Sequence, residues 1–77
     1  SLYLKMQRPE DAVAPLERAV YWQPHVSAVR INLAVAYLQL QRLNAGQEQL
    51  REVLARDPTN ATAKKLLDDI ASMGGNL

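Results

Sequence analysis

The sequence predicts an all-α fold, an antiparallel stack of helix-turn-helix units, and three observations carry that reading. Apolar residues recur at helical spacing through nearly the whole chain, as in Leu33, Ala36, Tyr37 and Leu40. The chain also repeats itself. Tyr3-Leu4 returns as Tyr37-Leu38, Gln7-Arg8 as Gln41-Arg42, Leu16 as Leu50 and Pro24 as Pro58, each pair 34 positions apart. Prolines and polar turn residues fall between the periodic segments, where helices stop and restart. A repeat of this length marks a supersecondary unit that cannot bury its apolar face alone and is stacked on its neighbours.

About five helices follow from this pattern. Residues 1–7 read as the tail of a first helix. Arg8-Pro9-Glu10-Asp11 then supplies a turn, with proline at the first helical position and acids in the first turn. The next helix, 9–22, places Ala12, Leu16, Ala19 and Val20 on one face. Pro15 lies inside it, where an interior proline costs about 3 kcal/mol, and is read as facing solvent. Residues 23–26 connect to a third helix, 27–41, with two apolar stripes. Val29, Leu33, Ala36, Tyr37 and Leu40 form one; Ile31, Val35 and Leu38 form the other. A helix apolar on two sides is usually covered on two sides.

Asn44 is the expected N-cap of the fourth helix, 45–56, which buries Leu50, Val53 and Leu54 and exposes Gln47, Glu48, Arg51 and Glu52. Ala34 against Gly46 marks the place where the third and fourth helices cross, because only small residues allow close approach. Asn60 or Thr59 caps the last helix, 61–73, and Gly74-Gly75 stops it. Its apolar face is Ala63, Leu66, Leu67 and Ile70, while Lys64, Lys65, Asp68 and Asp69 cover the rest. A repeat stack needs such a polar-faced terminal helix, so this segment is expected to cap the stack, with Leu77 at or near the C-terminus. Ser1 enters the repeat midway through a helix, which implies an upstream portion in a longer protein.

These residues resemble the tetratricopeptide repeat family. Leu33-Ala34 stands at its Leu-Gly pair, Tyr37 at its aromatic, Gly46 and Val53 at its small positions, Leu50 at the large apolar place between them, and Pro58 at its closing proline. The earlier copy supplies Tyr3, Ala12, Leu16, Ala19 and Pro24 in the same order. Arg30 departs from the family's usual Trp, Gly46 from its commoner Ala, and Val53 is larger than its usual Ala. The resemblance implies an α-solenoid fragment forming one domain, 1–77. Residues 1–26 are the later part of one repeat, 27–60 a complete repeat, and 61–77 the capping helix and tail.

Length and composition narrow the function classes. A 77-residue chain holds one small domain that buries roughly 60 % of its unfolded surface. Without cysteine there is no disulfide, thiolate metal site or cysteine nucleophile, and the redox compartment is left open. A net charge of +1 with mixed signs argues against a nucleic-acid partner, which requires clustered Lys and Arg. No apolar run reaches the length of a membrane span, and no signal-peptide pattern opens the chain.

No catalytic, cofactor or metal site is expected. His25, the single histidine, lacks a ligand partner at suitable spacing and reads as a solvent-facing loop residue. Asp68 and Asp69 are adjacent on a helix, so their carboxylates diverge by about 100° and cannot converge on one ion. Trp22 precedes the closing proline and is expected mostly in the core. Asn60-Ala61-Thr62 fits the glycosylation acceptor pattern, and a capping role explains Asn60 equally well.

The stripe Ile31, Val35 and Leu38 is the remaining anomaly. The resemblance implies that this side lines a concave, water-accessible groove that holds a protein or peptide. Leu4 occupies the equivalent place one repeat earlier, and Asn32 and Gln39 flank the stripe with amides able to pair with a peptide backbone. The candidate partner-binding residues are therefore Leu4, Ile31, Asn32, Val35, Leu38 and Gln39. The alternative is self-association into a homo-oligomer through the same stripe or the N-terminal edge. Family members that clamp a chaperone's C-terminal carboxylate use Lys, Arg and Asn in the groove. Asn32 matches one such place, but Thr62 and Leu66 stand where basic residues belong, which disfavours that activity.

Overall fold

Proline decides where the first described helix begins. The computed structural model describes residues 8–73, and α1 (Pro9–Trp22) opens with Pro9 at its first helical position, as expected. Arg8 Nε pairs with Asp11 Oδ2 at 2.8 Å across this first turn, on an exposed surface where such a pair adds little. Pro15 is exposed, and the helix runs on past it. α2 (Ser27–Gln39), α3 (Leu43–Arg56) and α4 (Ala61–Ser72) follow. Of the five helices expected, four lie among the described residues; the first falls in 1–7, outside them.

α2 is the centre of the molecule. Leu33, Ala34, Val35, Ala36, Tyr37 and Leu38 are all buried, so this stretch is covered on every side. α1 lies along it, α3 packs against it as the second arm of a hairpin, and α4 lies against α3 and reaches α2. The hairpin crosses where small residues were expected. A Cβ placed on Gly46 would stand 3.4 Å from the Ala34 carbonyl oxygen and 3.0 Å from Leu38 Cδ2.

One continuous cluster holds α2, α3 and α4 together: Ala34, Val35 and Leu38 with Leu50, Val53, Ala63, Leu66 and Ile70. Ile31, Leu43, Leu54 and Leu67 pack around it, half-buried. No polar or charged side chain is buried among the described residues, so the cluster rests on apolar burial alone. Fully burying one Leu or Ile contributes about 1.5–3 kcal/mol.

The helix ends refine the sequence reading. α2 stops at Gln39, two residues short of the expectation. Gln41 takes a left-handed φ of 61°, the Arg42 N–H donates to the Tyr37 carbonyl at 2.8 Å, and the Gln41 N–H donates to the Leu38 carbonyl at 3.1 Å. That pair of bonds is a Schellman stop, with glutamine at the place glycine usually holds. α3 starts two residues earlier than expected, at Leu43. Arg42 is its N-cap residue without a side-chain bond, so Asn44 is not the cap. Asn60 does cap α4: its Oδ1 accepts from the Ala63 N–H at 2.9 Å, and its Nδ2 donates to Asp57 Oδ2 at 3.1 Å. Both ends of the Asn60 amide are thus engaged. The Gly74-Gly75 stop lies outside the described residues.

Trp22 is a clear correction. It is 76 % exposed rather than buried, as is Tyr21, and the two rings meet edge to face at 5.1 Å. Trp22 closes α1 as the last helical residue, where its ring packs on Tyr21 and not into the cluster.

Candidate partner-binding face

The apolar stripe expected to line an open groove is largely core. Val35 is 4 % exposed and Leu38 is 2 % exposed; both belong to the cluster that Ala63, Leu66 and Ile70 of α4 complete. The reason is the turn at Asp57–Asn60. The Asn60 N–H donates to the Asp57 carbonyl at 3.1 Å, and the cap on Asn60 then sends α4 back over this side of the hairpin. The chain's own last helix thus covers the stripe that was expected to face an open groove. Val35 keeps almost no contact with solvent.

Around that core the remaining candidates differ. Ile31 is half-buried against the cluster, Asn32 is exposed, and Gln39 is half-buried with its polar group engaged. Leu4 lies outside the described residues. One repeat interval after Ile31, Val35 and Leu38 stand Lys65, Asp69 and Ser72, so the equivalent positions on α4 are polar. Lys65 and Ser72 are exposed and Asp69 is half-buried. α2 therefore offers half-buried Ile31 and an exposed amide at Asn32. The α4 positions equivalent to the stripe add a cation and a carboxylate.

Two polar ties position α2, and neither had a signal in the sequence. Arg30, standing where the family often has Trp, donates from Nε to the Pro24 carbonyl at 2.9 Å. Its Nη1 donates to Gln49 Oε1 of α3, also at 2.9 Å. One guanidinium thus joins the α1–α2 connector to α3. The Tyr37 hydroxyl donates to Glu17 Oε2 of α1 at 2.5 Å. Burial pushes the Tyr37 phenol up to about 12, and the neighbouring Glu17 carboxylate adds to the rise.

Exposed apolar surface also gathers at the α1–α2 end, at Tyr21, Trp22 and Val26. His25 beside them is exposed, as read from the sequence. Among the described residues no group of three or more His, Cys, Asp or Glu side chains is placed to hold a metal ion. None of the described helices is long and apolar enough to cross a membrane.

A protein-family model described as tetratricopeptide repeat matches residues 3–70. No curated protein and no solved structure matches the chain.

Proposed function

The chain belongs to the tetratricopeptide repeat family, and from that premise we propose that it is a non-catalytic module that binds a protein or peptide along its α2–α4 side. Repeats of this family generally serve as protein-interaction scaffolds. The observation that carries the reading is the exposed Asn32 amide beside half-buried Ile31, directly before the buried stretch 33–38 of α2. Ile31 offers apolar area, and Asn32 offers a donor and an acceptor to a peptide backbone. Lys65 and Asp69 of α4 add charge selection. Val35 and Leu38 support this surface from beneath and do not touch the partner.

In this reading residues 1–26 and 27–60 are the later part of one repeat and a complete repeat, and residues 61–77 form the capping helix and tail. The polar residues at Lys65, Asp69 and Ser72 support the capping role, because the apolar stripe of α2 is not continued on α4. Self-association is the second reading. The exposed Tyr21–Trp22 pair favours it, since contiguous exposed aromatics often mark contact surfaces.

Affinity capture from the source cells tests the first reading, comparing wild type with Asn32→Ala and Ile31→Asp. The expected outcome is a protein retained by wild type and lost from both variants, with circular dichroism and melting little changed for Asn32→Ala. Identical capture by all three chains would place the binding surface elsewhere. Sedimentation addresses the second reading: a concentration-dependent dimer abolished by Trp22→Ser supports it, and a monomer throughout removes it.

A further inference from the structure

The helices are not equally anchored. The continuous cluster contains residues of α2, α3 and α4 only, whereas α1 has no buried residue at all. Yet Leu33, Ala36 and Tyr37 on α2 are buried outside that cluster, on the side where Tyr37 meets Glu17 of α1. α1 therefore covers an apolar seam with residues that are only half-buried themselves: Ala12, Val13, Leu16, Ala19 and Val20. Pro15 within it lacks the N–H of a helical hydrogen bond, and the last turn of α1 carries no basic residue.

The connector offers a point of rotation. Gln23 has φ −135° and ψ 68°, outside the helical region, as a residue before proline tends to be. The next carbonyl, that of Pro24, is held by Arg30. Rotation at Gln23 can therefore swing α1 while the Pro24–Arg30 bond stays made. We infer that α1 is a hinged lid, opening as one unit about Gln23 from the α2–α4 body and uncovering the Leu33, Ala36 and Tyr37 seam, with the Tyr37–Glu17 hydrogen bond as its latch. Sub-global opening of this kind draws on the least buried contiguous element.

Amide hydrogen exchange on the full 77-residue chain, read residue by residue by NMR, tests the lid. Interior amides of α1 are expected to share one opening, at least roughly tenfold more frequent than the opening that frees Val53 or Ile70. Glu17→Ala removes the latch at a position compatible with helix, so it should speed the α1 set a further tenfold or so and leave Ile70 unchanged. Asn60→Ala, which removes the α4 cap, should act on α4 amides and leave α1 unchanged. Equal protection of α1 and α4 would overturn the inference. So would a smooth gradient from the N-terminal end of α1, which is fraying, or an equal response of both helices to Glu17→Ala.

Discussion

Gln41 holds a left-handed φ of 61° so that its N–H and that of Arg42 can close the end of α2. For a residue with a Cβ that conformation costs roughly 1–2 kcal/mol. Gln41→Gly relieves the strain but loosens the unfolded chain, so the expected result is a gain of up to about 1 kcal/mol, read by denaturant unfolding. Gly46 tests packing from the other direction. Alanine gains about 1 kcal/mol of helix propensity, but its methyl would sit 3.0 Å from Leu38 Cδ2, which the cluster restrains. Gly46→Ala should therefore melt close to wild type, whereas Gly46→Val should be clearly destabilised, by roughly 1–3 kcal/mol. Tyr37 gives the pH signature. Its folded-state phenol is raised to about 12 from 10.0, first by burial and then by Glu17. A raised value means that the neutral form is favoured in the folded chain. The associated stability is complete below pH 10 and is lost as pH rises through about 12. Unfolding measured between pH 9 and 12 should show this loss in wild type and a smaller one in Tyr37→Phe.

At the scale of elements, α4 covers the second apolar side of α2, the side expected to line a groove. Ala63, Leu66 and Ile70 complete the core over Val35 and Leu38. Truncation after Asp57 should therefore leave no cooperative melt, with dye binding that reports exposed apolar surface; a truncated chain with a native-like melt would contradict this. The helices themselves were readable because their signals are local: spacing of apolar residues, Pro9 at a start, Asn60 at a cap. The small pair Ala34 and Gly46 even located the crossing. The ends of α2 and α3 were misplaced because a Schellman stop built on glutamine has no composition signal, and Asn44 mimicked a cap two residues inside the helix. The exposure of Trp22 was not legible, because burial of an aromatic at a helix end depends on how the next helix packs, a tertiary property; here its ring meets that of Tyr21 edge to face.

For the molecule as a whole, periodicity showed that α2 is apolar on two sides but could not say what covers the second. That depends on the angle at which the Asp57–Asn60 turn returns the chain, a tertiary property. Three of the candidate groove positions, Ile31, Asn32 and Gln39, keep exposed or half-buried surface; Val35 and Leu38 do not. One helix is thus divided into a supporting core and a narrow accessible edge. Thermal melting of Asn32→Glu beside Val35→Glu distinguishes the two. A glutamate at position 32 stands in water and should leave the melt near wild type. At position 35 it places an unpaired charge among Leu50, Ala63 and Leu66, a change of the kind that costs several kcal/mol, and should abolish cooperative folding. A Val35→Glu chain that melts like wild type would show that the stripe faces open solvent and is not core.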